Sequence, residues 1–115
     1  MNYWTTPIMK ERLDIKNQIK LADNIVEKVA AYYGMSNEEI KGKSRKRELV
    51  KARWIAMYFI RQKTDYTLNA IGDMFGRDHT TVIHALETIK DIMTLHYETD
   101  LKEDLLKIKQ YILFY

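Results

Sequence analysis

Apolar side chains recur at intervals of three and four residues along almost the whole chain, and this spacing limits the possible folds more than any other feature. Such intervals place apolar residues on one face of an α-helix, whereas a half-buried strand would alternate with a period of two. Only one proline and four glycines interrupt the 115 residues, and these two residue types are the usual helix breakers. The sequence therefore predicts an all-α protein with one hydrophobic core, because this length suits one domain rather than two.

Capping residues and apolar faces place the first three helices. A long helix ends at Gly34, and its predicted inward face contains Ile15, Ile19, Ala22, Val26, Val29 and Tyr33. Ser36 and Glu39 have the spacing of a capping box for a short helix ahead of a basic loop at residues 41–47. A second long helix over about residues 48–62 is predicted to turn inward Leu49, Ala52, Ala56, Phe59 and Ile60.

The second half of the chain predicts a helix-turn-helix. Thr67 can cap a short helix over residues 68–75, Gly76-Arg77 forms a tight turn, and a longer helix starts near Asp78. That helix is anchored by Val82, Leu86, Ile89 and Met93, and a final helix after Tyr97 packs back through Leu101, Leu105, Ile108 and Ile112. The predicted fold class is all-α, a compact helical domain containing a helix-turn-helix (TrpR-like), over residues 14–115. Residues 1–13 are an N-terminal extension of unknown role.

Polar residues at the start of the longer helix predict contact with DNA. Residues 77–81 offer donors, acceptors and methyl groups, while the body of the helix carries the apolar anchors. A helix with its first turn outward and its body packed is how a recognition helix enters the major groove. A basic cluster with a single opposing acid, Glu48, comes earlier in the chain, and its members are Lys43, Arg45, Lys46, Arg47, Lys51 and Arg53. Alone the cluster could be a solvated surface, but together with the helix-turn-helix it predicts an electrostatic footprint for nucleic acid.

Other classes of function find little support in the residues. Cysteine is absent, and His79, His84 and His96 lack the spacing of a helical zinc site, so no metal is expected. Residues 37–44 end like a phosphate-binding loop, but Asn37 replaces its first glycine, so no nucleotide cofactor is expected. No pairing of Ser, His and Asp suggests a nucleophile with its base, so no enzyme is expected. Without an apolar run that could span a membrane or a secretory signal, the predicted location is the cytoplasm, in association with the nucleoid.

One stretch of the chain resembles a known family. The string Arg77-Asp78-His79-Thr80-Thr81-Val82, followed by His84-Ala85 and preceded by residues 71–75, is similar to the signature of the C-terminal DNA-binding domain (domain IV) of DnaA, the bacterial chromosomal replication initiator. Asn24-Ile25, Tyr32-Tyr33, the loop arginines and Ala56-Met57 fall at matching distances, so the resemblance runs from about residue 24 to the end.

The resemblance implies monomeric, sequence-specific binding of a short asymmetric box in double-stranded DNA. It implies that Arg45 enters the minor groove and that Asp78, His79 and Thr80 face base edges in the major groove. Contacts along the phosphates are implied for Arg53, Arg61, Arg77, Thr81 and His84. Arg47 belongs to the same basic loop as Arg45. Partners beyond DNA would be replication proteins, and the role would be to regulate replication initiation or transcription, or to compete for the initiator's boxes.

Three departures from the family pattern are present. A single glycine, Gly76, precedes Arg77 where the family usually has two, so the turn is one residue shorter and the recognition helix is expected to be shifted or rotated. Trp54 stands where a glutamine is common, and Asn69 stands where a proline is common. Full initiators also carry an upstream ATPase module for which this chain has no room, so a free-standing protein of a phage or mobile element is expected.

Several interpretations stay open beside these. Asp78 can cap the recognition helix and contact a base at the same time, and His84 can contact a phosphate or pack. Trp54 and Tyr58, one turn apart, are expected to pack at the core or its rim rather than stack on bases. The alternative function is a helical protein-interaction module without sequence readout, which would bind an initiator or helicase partner through aromatic residues such as Trp4 and Trp54.

Overall fold

The computed structural model describes residues 14–95 and 99–113. These residues form six α-helices: α1 (Ile15–Tyr33), α2 (Asn37–Lys41), α3 (Arg47–Lys63), α4 (Leu68–Phe75), α5 (His79–Met93) and α6 (Asp100–Leu113). No strand occurs within these residues, and the predicted all-α class is confirmed. The predicted extension at residues 1–13 lies outside the described residues. None of the helices in the described ranges is long and apolar enough to cross a membrane.

Local capping bonds explain where several helices begin. The predicted capping box is present at α2, where the Glu39 N–H donates to Ser36 Oγ at 3.0 Å and the Ser36 N–H donates to Glu39 Oε1 at 2.8 Å. Thr67 Oγ1 accepts from the Ala70 N–H at 3.0 Å and begins α4. These bonds satisfy backbone donors that have no partner inside the helix. The helix starts are therefore set by short-range sequence.

The core surrounds α3, which packs against α1, α2, α4 and α5. Because neighbours lie on several sides of α3, its buried residues extend around more of its circumference than a single face. All five residues predicted to face inward on this helix are buried, and so are Arg53, Ile55 and Met57. On α6 the predicted Leu105, Ile108 and Ile112 are buried, and Leu101 packs against the core from its edge.

The predicted inward face of α1 is wrong over its first turns. Ile15 is 77% exposed and Ile19 is 47% exposed, and the first buried residue is Ala22. Ile25 and Ala30, which the face did not include, are buried instead. The apolar spacing continues to the start of the helix, but no described helix covers its first two turns.

A polar network holds α6 to the rest of the domain. Asp104 accepts from the Tyr32 hydroxyl at 3.1 Å and from the Tyr33 hydroxyl at 2.6 Å, and Lys51 Nζ lies 3.4 Å from its Oδ2. Burial and the hydrogen bond to Asp104 raise the pKa of Tyr33, so its hydroxyl stays protonated and donating at neutral pH. Asp104 therefore joins α6 to both α1 and α3.

Candidate nucleic-acid interface

The turn between α4 and α5 closes on a single glycine. Gly76 has a φ of 65°, in the left-handed region that favours glycine. Its N–H donates to the Asp73 carbonyl at 3.3 Å, and the Arg77 N–H donates to the Gly72 carbonyl at 2.8 Å. These two bonds form the Schellman motif, which satisfies the last carbonyls of a helix. One glycine before Arg77 is sufficient to end α4.

Gly72 brings the turn close to α4. A Cβ atom at this position would overlap the backbone carbonyl oxygen of Arg77 and would also lie 3.4 Å from the carbonyl carbon of Asp78. The turn backbone therefore packs directly on the Gly72 Cα. This close approach fixes the position from which α5 starts.

Asp78 is the N-cap of α5. Its Oδ1 accepts from the Thr81 N–H at 2.9 Å and from the Thr81 hydroxyl at 3.0 Å. The backbone bond from Thr81 is the main cause of a lowered pKa at this carboxyl, followed by the hydroxyl bond. The structure thus shows the capping role, which is compatible with a base contact.

Two substitutions test the capping role of Asp78. Asp78→Asn is expected to keep the helix cap, since Asn caps as well as Asp, while Asp78→Ala is expected to lower the melting temperature. The lowered pKa means that the carboxylate contributes stability above its ordinary value of 3.8 and loses it as the pH falls through the folded value. Melting curves at pH 7 and pH 3 check this, and equal pH sensitivity in wild type and Asp78→Asn would contradict it.

The first residues of α5 project outward while its body is anchored. His79 and Thr80 are exposed, and Val82, Ala85 and Ile89 are fully buried. The predicted anchors Leu86 and Met93 are half-buried and pack at the edge of the core. The helix thus presents its first turn to solvent on a rigid support.

The basic loop connects α2 to α3 at residues 42–46. The Gly42 N–H donates to the Glu39 carbonyl at 3.1 Å, and the Lys46 N–H donates to Ser44 Oγ at 3.2 Å. The loop and the first residue of α3 carry four exposed cations that have no ion pair in the described part of the chain: Lys43, Arg45, Lys46 and Arg47. Their charge is therefore available to an anionic partner.

Lys51 belongs to the sequence cluster but not to this exposed group. Its ammonium lies 3.7 Å from Glu48 and 3.4 Å from Asp104, and its side chain is only 14% exposed. It contributes to the attachment of α6 rather than to the exposed positive charge. Four cations of the six in the sequence cluster form the accessible part.

Arg53 departs from the expectation that it lies along a phosphate. Only 3% of its surface is exposed, and its Nε donates to the Ile40 carbonyl at 2.7 Å. Burial, followed by the nearby charge of Arg77, lowers the pKa of Arg53. Its Nη2 is buried and has no partner among the described residues. The side chain therefore joins the end of α2 to α3, and nearly all of its surface is covered.

A signal for this burial was present in the sequence. Arg53 lies four residues after Leu49 and four residues before Met57, and both are buried. Positions four apart share a helix face. An arginine at such a position belongs to the inward face of α3 unless the helix is only partly covered.

The remaining predicted phosphate contacts have partners within the domain. Arg77 is half-buried and its Nη1 donates to the Phe75 carbonyl at 2.5 Å, while Arg61 is exposed and donates to the Tyr66 carbonyl at 2.9 Å. Thr81 gives both its N–H and its hydroxyl to Asp78. A guanidinium has five donors, so both arginines keep donors for a further acceptor, whereas a threonine hydroxyl has only one.

Trp54 on α3 and His84 on α5 form an aromatic pair. Their ring centroids lie 5.7 Å apart and their planes meet at 84°. Trp54 is half-buried and packs against the core, whereas His84 is exposed. Tyr58 is also half-buried and packs on Phe59, with ring centroids 5.2 Å apart. The expectation of rim packing for both aromatic residues is therefore met, and Trp54 is no exposed aromatic platform.

The described residues do not contain a cluster of three or more His, Asp or Glu side chains that could hold a metal ion.

The fold defines a helix-turn-helix domain that also carries an exposed basic loop. The family model described as "Bacterial dnaA protein helix-turn-helix" matches residues 22–89, and the chain belongs to this family. The resemblance found in the sequence is thereby confirmed.

Similar proteins agree with this assignment. The chain is 43% identical over 95 residues to a chromosomal replication initiator protein DnaA from Limosilactobacillus reuteri. This matched region covers 82% of this chain and 21% of that protein. It is 44% identical over 99 residues to the protein of the same name from Lactobacillus helveticus, which covers 84% of this chain and 21% of that protein. For chromosomal replication initiator protein DnaA 1 of Chlamydia pneumoniae the identity is 43% over 84 residues, covering 72% of this chain and 18% of that protein. The chain thus spans about a fifth of the length of the curated relatives it matches.

Proposed function

We propose that this chain binds double-stranded DNA with sequence specificity, with the first turn of α5 in the major groove and the basic loop at residues 42–46 in the adjoining minor groove. The observation that carries the proposal is the outward first turn of α5 on a buried support, in a helix-turn-helix of the DnaA family. The relatives are named chromosomal replication initiator proteins. We therefore place the chain in replication initiation, where occupancy of DnaA-box-like sites would regulate initiation or compete for the sites.

Chemistry divides the proposed contacts into three groups. Asp78, His79 and Thr80 face base edges, where a carboxylate accepts from a cytosine amino group and a threonine methyl packs on a thymine methyl. Arg45 enters the minor groove, whose negative potential is enhanced where A·T pairs make it narrow. The phosphates are contacted by Arg47, Arg61, Arg77 and His84. Arg53 is left out because it is buried, and Thr81 because its donors serve Asp78.

One domain can read one asymmetric site. The recognition helix and the basic loop belong to the same chain, so a monomer reaches two neighbouring grooves without the second half-site that many helix-turn-helix dimers need. We propose a monomer on a short asymmetric duplex, with replication proteins as further partners.

Selection of duplexes from a random pool at near-physiological salt tests the proposal. The wild-type chain is expected to recover one asymmetric box. His79→Ala is expected to relax specificity at one or two positions by roughly 1–3 kcal/mol, because only the base contact is lost. An equal loss of affinity for all sequences after His79→Ala would mean that His79 contacts the DNA backbone rather than a base. If the wild-type chain recovers no sequence above background, sequence-specific binding is refuted.

A protein-docking role is the second candidate, and one observation favours it. The first turns of α1 expose Ile15 and Ile19, which lie four residues apart and thus share a helix face. If the function is DNA binding, Ile19→Lys is expected to leave the affinity for DNA unchanged. If the chain is instead a protein-interaction module without sequence readout, its binding is expected to change little with salt concentration.

A further inference from the structure

The indole N–H of Trp54 is a donor without an acceptor in the described part of the chain. The only buried side-chain nitrogen or oxygen without a hydrogen-bond partner in the described residues is Nη2 of Arg53. Trp54 makes no hydrogen bond there either, and its one ring contact is His84. Since its Nε1 is not among the buried unpaired atoms, the indole N–H reaches the accessible surface.

The position of Trp54 on α3 places this donor between two exposed cations. Arg47 lies seven residues before Trp54 and Arg61 seven residues after it, and both are exposed. Seven residues are nearly two helical turns, so the three side chains follow one stripe of α3 with a spacing of about 10 Å. Trp54 is the uncharged centre of a positive stripe.

The Trp54 ring contacts α5 on the helix face that we propose to lie against DNA. His84 lies four residues after Thr80, and both are exposed, so they share one face of α5. The edge-to-face contact with the His84 ring, at 5.7 Å and 84°, brings the indole alongside this face. Packing on the core limits the freedom of the indole, which lowers the entropy lost when it binds.

We propose that Trp54 donates its indole N–H to a phosphate oxygen of the bound duplex and holds the His84 imidazole at the same phosphate. The inference rests on the proposed function and adds to it a neutral phosphate contact. An indole is a donor only, which suits a phosphate acceptor. Because the indole carries no charge, its hydrogen bond adds affinity without adding to the release of counterions. A phosphate contact does not distinguish one base from another. It therefore strengthens binding to every DNA sequence on which the protein sits in this same position.

Trp54→Phe is the central variant, because it keeps an aromatic ring beside His84 and removes the N–H donor together with part of the indole ring. Binding to the duplex recovered by selection is expected to weaken about tenfold, which corresponds to about 1.4 kcal/mol. The slope of log affinity against log salt is expected to stay unchanged. Tyr58→Phe, which changes a half-buried aromatic residue one turn further along α3, is the matched control and is expected to bind like wild type. Melting curves check that both variants fold.

A scan of the duplex with single methylphosphonates locates the contact, because each replacement removes one charged phosphate oxygen. At one phosphate the replacement is expected to weaken wild type about tenfold more than it weakens Trp54→Phe, and elsewhere both proteins should respond alike. This double-mutant cycle isolates the pair. Parallel responses at every phosphate, or an equal loss for Tyr58→Phe, would overturn the inference. If wild type recovers no box at all, the proposed function fails first, so the two failures are distinguishable.

Discussion

Gly72→Ala is expected to lower the free energy of unfolding by about 2 kcal/mol. It is also expected to weaken DNA binding under conditions in which the variant is fully folded. The new Cβ would overlap the Arg77 carbonyl, which is backbone and cannot turn away as a flexible side chain would. Overpacking of this kind costs up to about 3 kcal/mol, and the better helix propensity of alanine offsets about 1 kcal/mol. Because the overlap lies at the turn, relief requires α5 to move relative to α4.

Gly76→Ala is the matched control for that prediction. Gly76 has a φ of 65°, but nothing lies within 4 Å of the site of its Cβ. Alanine there is expected to cost about 1 kcal/mol of backbone strain and to leave the position of α5 unchanged. Urea titrations and affinities for the selected duplex, measured well below the melting temperature, check both variants. If Gly76→Ala weakens DNA binding more than Gly72→Ala, the close approach at Gly72 does not position the recognition helix.

Features that depend on neighbouring residues in the sequence were predictable. The capping box at Ser36 and Glu39, the Thr67 cap and the closing turn at Gly76 all use bonds between residues three to five apart. Their residue types have strong local preferences, so the helix limits followed from the sequence. The helix-turn-helix could be recognised for the same reason.

Features that depend on tertiary neighbours were not predictable from spacing. Ile15 and Ile19 continue an apolar face that no described helix covers, so spacing predicted burial that the fold does not provide. Lys51 appeared as one more cation of the basic cluster, but its partner Asp104 lies 53 residues away in the sequence. A helical pattern says which residues share a face and does not say how far the covering helices extend.

The candidate site divides in the same way. The outward first turn of α5 and the exposed loop cations follow from the sequence, because both depend on local polarity. The contact between Trp54 and His84 could not be predicted, because it depends on how α3 packs on α5 and no short-range sequence pattern indicates that packing. For Arg53 the spacing from Leu49 and Met57 indicated the inward face of α3, but its hydrogen bond to the Ile40 carbonyl required knowing that α2 covers that face.

Arg45→Ala is expected to weaken binding of the selected duplex by about 1–3 kcal/mol, or roughly 5- to 150-fold. Arg45 is exposed in a loop that the Gly42 N–H joins to the Glu39 carbonyl of α2 and that the Lys46 N–H stabilises locally through Ser44 Oγ, so its guanidinium can enter a groove without unfolding other structure. The loss should be greatest for duplexes with A·T-rich minor grooves. Binding measured for A·T-rich and G·C-rich flanks checks this, and equal losses for both would place Arg45 outside the minor groove.

Arg53→Gln separates an arginine that contacts DNA from one that supports the site. Each phosphate neutralised contributes about −0.9 to the slope of log affinity against log salt. A buried Arg53 contributes nothing to that slope, so Arg53→Gln should change the free energy of unfolding and leave the slope equal to that of wild type. Arg47→Gln, which removes an exposed cation at the start of α3, should make the slope shallower by about 0.9. If Arg53→Gln gives the same shallower slope as Arg47→Gln, then Arg53 leaves its buried position and contacts a phosphate in the complex.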